Sequence, residues 1–438
     1  MDRIWVQGGI RLQGNVKIQG SKNASLPLLA ASLLTEGENV FYNCPRISDV
    51  YQMLTLLQSL GCKARWEPDC VRVDAGNAGM QNMPPEAVKG MRSSLCLLGA
   101  LLGRSGEAVM EYPGGCVIGK RPIDLHLYAL KQLGAVFEEK EKKIYATAPK
   151  GLRGNVIRFP KVSVGATQNA VLAASAAVGE SEIYGAAKEP EVEELCRFLT
   201  KCGVPMEGIG TEHIRIAGRG PLHQKGRLQG VSYRVPADRI VAGTYLFACL
   251  GAGGSIFLEE APVEHMEAAI SVARKMGAEV TAFGEEQKEA ESLFGGVKKG
   301  LFVQRLGKLS GVELLMTECY PGFPTDLQSP ALAALSVAEG ESLICESIFE
   351  NRFRVAEPLN RMGARISLPD ATHAMVEGVD RLQGKLVEAV ELRGGASLIL
   401  AGLFAEGKTL VCGGQYIERG YENICRDLRE LGARIGSA

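Results

Sequence analysis

Residues 26–42 read LPLLAASLLTEGENVFY: an apolar run of Leu, Ala and Ser, a glycine at position 37, then a short strand-like run. The same order returns as LCLLGALLGRSG–EAVMEY (95–112), AVLAASAAVG–ESEIYG (170–185), TYLFACLGAGG–SIFLEE (244–260), LAALSVAEG–ESLICES (332–347) and LILAGLFAEG–KTLVCG (398–413). The turn glycines stand at 37, 106, 179, 254, 340 and 407, giving intervals of 69, 73, 75, 86 and 67 residues. Self-similarity at a near-constant interval marks a repeat architecture. A second glycine series alternates with the first, in SLGCKA, QLGAVF, KCGVPM, KMGAEV, RMGARI and ELGARI. Each of these glycines ends an amphipathic helical pattern, where a left-handed residue commonly closes the helix.

The two helix types need different surroundings. The second type, for example VYQMLTLLQSLG (50–61), has one apolar face and is expected outside. The first is apolar on every side, which places it inside. Each repeat therefore predicts one buried helix, one outer helix and strands between them. The regular strand runs argue against an α-solenoid. Six units of about 70 residues exceed one core of ordinary size, so two lobes of three units are expected. The long fourth interval is accounted for by GEEQKEAESLFGGVKKG (Gly284–Gly300), read as a surface insertion or a mobile hairpin.

The chain has 438 residues, 46% of them hydrophobic, which is ample for such cores. Forty-nine basic residues against 50 acidic ones leave a net charge of −1, so neither nucleic acid nor an anionic membrane is indicated as a partner. The opening MDRIWVQGG lacks the apolar stretch of a signal peptide, and runs such as Leu95–Leu102 are too short to span a bilayer. Twelve cysteines in that setting read as reduced thiols of a cytoplasmic protein. They form no CxxC pair, and the five histidines lack ligand spacing, so no metal is expected. GSKN is not a phosphate-binding P-loop, and no GxGxxG opens a helix, so no cofactor of the ATP or NAD type is expected.

Chemistry-bearing residues gather just before the six internal helices: Lys22 and Asn23, Arg92, Lys161 and Ser163, Asp238 and Arg239, Asp326, and Glu391 with Arg393. Helix N-termini carry free N–H groups and a positive partial charge. Six such ends supplemented by Lys and Arg imply a site for a strongly anionic ligand. Ser163 and Asp326 also suit plain N-caps. The loop YPGGCVIGKRPIDLH (112–126) sets Cys116 among glycines, with Lys120 and Arg121 nearby. Cations lower a thiol pKa, which makes Cys116 a candidate for acid–base or nucleophilic work. The other cysteines mostly lie in apolar runs.

GSKNASLP, MRSSL, PGGCVIGKRPIDLH, KVSVGAT, EPEVEEL, FPTDLQ, IFENRF and ERGYE follow one another along the chain. As a set they resemble the UDP-N-acetylglucosamine enolpyruvyl transferases, over nearly the whole length. The resemblance implies an α/β fold: a two-lobed inside-out α/β barrel of six βαβαββ-type repeats, three per lobe, with buried internal helices. It implies a first lobe at 22–236 carrying the Cys116 loop, and a second lobe built from 1–21 and 237–438. The implied reaction moves the enolpyruvyl group of phosphoenolpyruvate to the 3-hydroxyl of UDP-N-acetylglucosamine. It passes through a tetrahedral phosphoketal, releases phosphate and opens peptidoglycan synthesis.

Carried over position by position, Lys22, Asn23, Arg121 and Arg419 would hold phosphoenolpyruvate. Asn23, Arg92, the segment Arg121, Pro122, Ile123, Asp124 and Leu125, the segment Lys161, Val162, Ser163 and Val164, and Asp326 and Ile348 would hold the UDP-sugar. Cys116 would protonate the methylene carbon, Asp326 would take the hydroxyl proton, and Lys22 would assist. Alkylation of Cys116 by epoxide phosphonates of the fosfomycin type is also implied. The pattern departs from the family at Val241, where an acidic residue usually follows DRI, and at Glu391, where Asp usually precedes LR. Two other readings compete. Enolpyruvyl-shikimate-phosphate synthase shares fold and phosphoenolpyruvate chemistry but lacks the cysteine loop and normally has Ser at the position of Asn23. A non-catalytic UDP-sugar-binding regulator needs neither acid nor base, against which Lys22, Cys116, Asp326 and Arg419 argue.

The residues assigned to the UDP-sugar belong to both expected lobes, so the sugar should draw the lobes together. Small-angle scattering should show a smaller radius of gyration at saturating UDP-N-acetylglucosamine. An unchanged radius counts against closure.

Overall fold

A computed structural model of the chain describes residues 3–78, 95–111, 123–140, 143–220, 228–284 and 299–438. Both glycine series adopt the left-handed backbone. The turn glycines 37, 106, 179, 254, 340 and 407 have φ between 74° and 109°, and those closing the outer helices, at 61, 134, 203, 277, 363 and 432, have φ between 85° and 113°. A side chain is strained at such angles, which is why glycine recurs in all six repeats.

The six internal helices are Lys22–Ala31, Cys96–Ser105, Val164–Ser175, Arg239–Ala252, Gln328–Leu335 and Leu392–Phe404. They are enclosed on every side: the fourth is buried from Arg239 through Leu250 and the sixth from Arg393 through Phe404. The outer helices are Ser48–Ser59, Asp124–Gln132, Pro190–Lys201, Glu267–Lys275, Ala356–Arg361 and Ile424–Glu430, and each buries only part of its surface.

The third repeat shows the wiring in full. Val156–Arg158 pairs parallel with Val178–Tyr184, and the buried helix between them is the crossover that a parallel pair requires. The outer helix follows, and Met206–Glu207 and His213–Arg219 complete an antiparallel edge. Two repeats borrow strands from the start of the chain. Leu12–Lys17 pairs parallel with Gly254–Glu259 in the fourth, and Arg3–Gln7 lies antiparallel between Lys408–Cys412 and Arg434–Ser437 in the sixth. The first repeat takes its leading strand, Ser232–Arg234, from the end of its own unit.

The described residues divide into two compact units, each with its own core. One comprises 20–111 and 123–236, the other 3–19 and 237–438. Three internal helices belong to each, making the fold an inside-out α/β arrangement of six repeats. Most of the charged insertion, 285–298, lies outside the described residues, and the strands flanking it pair antiparallel with Phe283 opposite Gly300. Among the described residues no helix is long and apolar enough to cross a membrane.

Small residues let the internal helices approach one another. A Cβ on Gly251 of the fourth would overlap the Phe404 ring of the sixth. Gly251→Leu should therefore destabilise the protein by about 1–3 kcal/mol through overpacking. Gly307→Ala, where a Cβ meets nothing within 4 Å, should be neutral. Urea unfolding midpoints of the two variants check this.

Candidate active site

In the first unit, Lys22 is the first residue of its helix, behind the N-cap Ser21, whose hydroxyl accepts the Ala24 N–H at 3.2 Å. The Lys22 ammonium lies 2.7 Å from Asp49 Oδ2, with side chains 12% and 2% exposed. Asp49 comes from the first turn of the neighbouring outer helix. Lys22 is thus held by a buried carboxylate. Asn23 is half-buried beside it. Pro27, inside the same helix, has no N–H, so the Asn23 carbonyl receives no ordinary intrahelical bond.

The helix beginning at Asp124 packs on the helix beginning at Val164, with His126, next to Leu125, against Gly165, next to Val164. Ile123 and Leu125 are buried, whereas Asp124, Lys161 and Val162 are exposed. Ser163 caps its helix by accepting the Ala166 N–H at 3.4 Å. Arg92, Cys116, Arg121 and Pro122 lie outside the described residues.

In the second unit, Asp326 sits in the short turn Thr325–Leu327 ahead of the fifth internal helix. It is not an N-cap: Leu327 holds that position and makes no side-chain capping bond. The Asp326 carboxylate instead takes one guanidinium on each oxygen, Arg352 Nη2 at 3.0 Å on Oδ1 and Arg393 Nη2 at 2.9 Å on Oδ2. Both arginines are essentially buried, and the carboxylate side chain is 26% exposed. Burial opposes the Arg393 charge, but Asp326, Tyr421 and Asp238 outweigh it and hold the group above the usual guanidinium range.

Ile348 belongs to the same cluster through Glu346, a carboxylate only 1% exposed. Glu346 Oε1 accepts the N–H groups of Ile348 (2.9 Å) and Phe349 (3.1 Å), while Oε2 accepts the Thr325 hydroxyl at 3.0 Å. Arg419 is half-buried, and the turn after it is pinned by Gln19, whose amide donates to Gly420 O at 3.1 Å and accepts the Glu422 N–H at 2.8 Å. Arg393 lies over the Tyr421 ring at 5.9 Å, and the Tyr421 hydroxyl meets Thr244 Oγ1 at 2.8 Å. Asp326, Ile348 and the Arg419 turn are therefore joined by one buried network.

Sequence reasoning did not assign roles to Asp49, Glu346, Arg352, Gln19 or Tyr421. Glu346 and Arg352 flank Ile348 within ESIFENRF, and that proximity was the available signal. Asp49 and Gln19 are distant in sequence from what they hold, and nothing local marks them. Glu391 does cap the sixth helix, accepting the Arg393 N–H at 2.8 Å and that of Gly394. Val241, the other departure, is fully buried inside the fourth helix.

The profile of the family described as EPSP synthase (3-phosphoshikimate 1-carboxyvinyltransferase) matches residues 6–428. The chain belongs to that family of enolpyruvyl transferases. It is 41% identical over 435 residues, 99% of either chain, to UDP-N-acetylglucosamine 1-carboxyvinyltransferase 2 of Caldanaerobacter subterraneus. It is 43% identical over 438 residues to UDP-N-acetylglucosamine 1-carboxyvinyltransferase of Maricaulis maris, covering 99% of this chain and 98% of the other. Among solved structures, the enolpyruvyl transferase NikO from Streptomyces tendae matches with TM-score 0.85 at 23% identity, covering 100% of this chain and 99% of the other. EPSP synthase from Acinetobacter baumannii matches with TM-score 0.73 at 20% identity over all of both chains. These two likenesses show the fold.

Asp326→Asn keeps the shape of the side chain and removes its charge, leaving two buried guanidinium groups without their shared counter-ion. The loss should be about 3 kcal/mol, the low end for breaking a buried pair because the carboxylate is partly exposed. Thermal unfolding of the variant checks it, and an unchanged melting temperature overturns the clamp.

Proposed function

We propose that this enzyme transfers the enolpyruvyl group of phosphoenolpyruvate to the 3-hydroxyl of UDP-N-acetylglucosamine, releasing phosphate. The observation that carries the reading is similarity along 99% of the chain to proteins named for that reaction. The family profile alone is broader, since its description names the shikimate enzyme. In this reading the protein acts in the cytoplasm at the opening of peptidoglycan synthesis, and so contributes to cell shape and division.

The chain's residues divide the work by charge. Phosphoenolpyruvate carries a phosphate and a carboxylate, and Lys22, Arg121 and Arg419 supply the matching cations, with the arginine forks suited to bidentate contact. Asn23 stands next to Lys22 and serves both ligands. Arg92, Arg121–Leu125, Lys161–Val164 and Ile348 hold the UDP-sugar. Cys116 gives its proton to the methylene carbon, which makes the neighbouring carbon electrophilic. The sugar oxygen bonds to that carbon while Asp326 accepts the hydroxyl proton, giving the phosphoketal. In the second half, the carbon–oxygen bond to phosphate breaks, the new methyl group returns a proton to the Cys116 thiolate, the proton held by Asp326 leaves with the phosphate, and the double bond returns.

Phosphate should be released from phosphoenolpyruvate with UDP-N-acetylglucosamine and not with shikimate 3-phosphate. Fosfomycin should add once, at Cys116, and Cys116→Ala should lose both adduct and turnover. Cys319 is exposed and serves as the internal comparison, while burial pushes the Cys96 and Cys196 thiols up to about 12 and keeps them unreactive. Intact-mass and peptide mapping decide the site. An adduct at Cys319, or turnover with the shikimate substrate, overturns the assignment.

A further inference from the structure

Asn169, on the third internal helix, is fully buried, and its whole amide is committed. Its Nδ2 donates to Leu95 O at 2.8 Å and to His126 Nδ1 at 2.8 Å, and its Oδ1 accepts the Gly99 N–H at 2.7 Å. Leu95 is the N-cap of the second internal helix and Gly99 lies four residues later. Their C=O and N–H are the two groups that an ordinary first turn joins to each other. The Asn169 amide, itself shaped like a peptide group, serves both. Gly99 makes the approach possible, since a Cβ there would stand 2.5 Å from Asn169 O and 2.7 Å from its Oδ1.

This geometry also settles His126. The amide cannot be turned round, because its NH₂ would then face the Gly99 N–H and its oxygen would face Leu95 O. Nδ2 is therefore the donor and His126 Nδ1 the acceptor, so the ring is neutral with its proton on Nε2. The far edge of the ring lies against the third helix: a Cβ on Gly165 would meet His126 Cε1 at 2.9 Å and Nε2 at 3.1 Å. His126 directly follows Leu125, and Gly165 directly follows Val164.

The structure assigns Asn169 and His126 as positioning residues for the UDP-sugar: one buried pair that fixes the second helix start, the Ile123–Leu125 segment and the Lys161–Val164 segment relative to one another. The assignment rests on the UDP-sugar reading of those two segments. Neither residue is assigned contact with the ligand. Binding segments held in register before the ligand arrives spare it the entropy of ordering them.

The test uses the full chain with His126→Leu, which removes the acceptor, and His126→Asn, whose Oδ1 can stand where Nδ1 stood. In His126→Leu, hydrogen exchange should quicken at 123–125 and 162–166 while the second unit is unchanged. KM for UDP-N-acetylglucosamine should rise about tenfold, the worth of roughly one net hydrogen bond, with KM for phosphoenolpyruvate nearly constant. His126→Asn should restore most of both. Unchanged exchange at 162–166, or equal rises in the two KM values, overturns the proposal. Wild-type binding of UDP-N-acetylglucosamine by calorimetry tests the substrate reading separately. If the wild type does not bind the sugar, that reading fails and the exchange result alone decides the pair.

Discussion

A helix that is apolar around its whole circumference has to be enclosed, and most of this architecture follows from meeting that demand six times. Each unit surrounds three such helices with sheets and outer helices. A parallel strand pair needs a long crossover, and the buried helix is that crossover, so enclosure and strand pairing are met together. The price is polar: every enclosed helix begins with N–H groups that must find partners. Ser21, Ser163, Asp238 and Glu391 supply side-chain caps to four of the six starts. The second helix draws on Asn169 from its neighbour, and the fifth is preceded by a tight turn whose Asp326 is engaged elsewhere. The two helix starts without their own side-chain cap are thus tied to buried polar networks.

The fold was legible in the sequence because its determinants are local and repeated. A left-handed turn selects glycine wherever it occurs, so twelve turns leave twelve visible marks. All-round apolarity likewise shows in the string itself. The ends of the chain were less legible. Nothing in RIWVQ or LQGNVK states that these strands complete the sixth and fourth repeats. Strand pairing between positions 242 and 409 residues apart (Leu12 with Gly254, Arg3 with Cys412) is a tertiary property, specified by the vacancy in the sheet and not by the strand.

The sequence draws attention to charged residues of both signs, Lys22 and Asp326 among them, but not to the carboxylates that hold other groups in place. Lys22 stands out as a charge among small residues, whereas Arg419 lies in the charged run IERGYE and is singled out only through the family resemblance. Asp49, which orients Lys22, occupies the first turn of an amphipathic helix, where an acidic residue is expected for dipole reasons alone. Glu346 directly follows the strand Glu341–Cys345 and looks like any surface glutamate, yet it is buried with both oxygens occupied. Glu391 is instructive in the other direction. A glutamate is longer than the aspartate expected there, and its carboxylate curls back over the first turn into room left by Gly394, where a Cβ would collide with it. The cap survives the substitution because a neighbouring residue has no side chain.

Asp326 poses a sharper question than its sequence position suggested. A carboxylate bonded to two guanidinium groups is favoured in its charged form, which weakens it as a base. In the proposed reaction a weak base suffices, because the proton it must remove becomes acidic only as the sugar oxygen bonds to an electrophilic carbon. The two arginines fix the carboxylate by both oxygens, and its side chain is 26% exposed. Basicity is traded for position, and position counts when the proton transfers late. The same buried network reaches Ile348 through Glu346 and the Arg419 turn through Tyr421, so the groups assigned to both ligands in this unit are braced against one another.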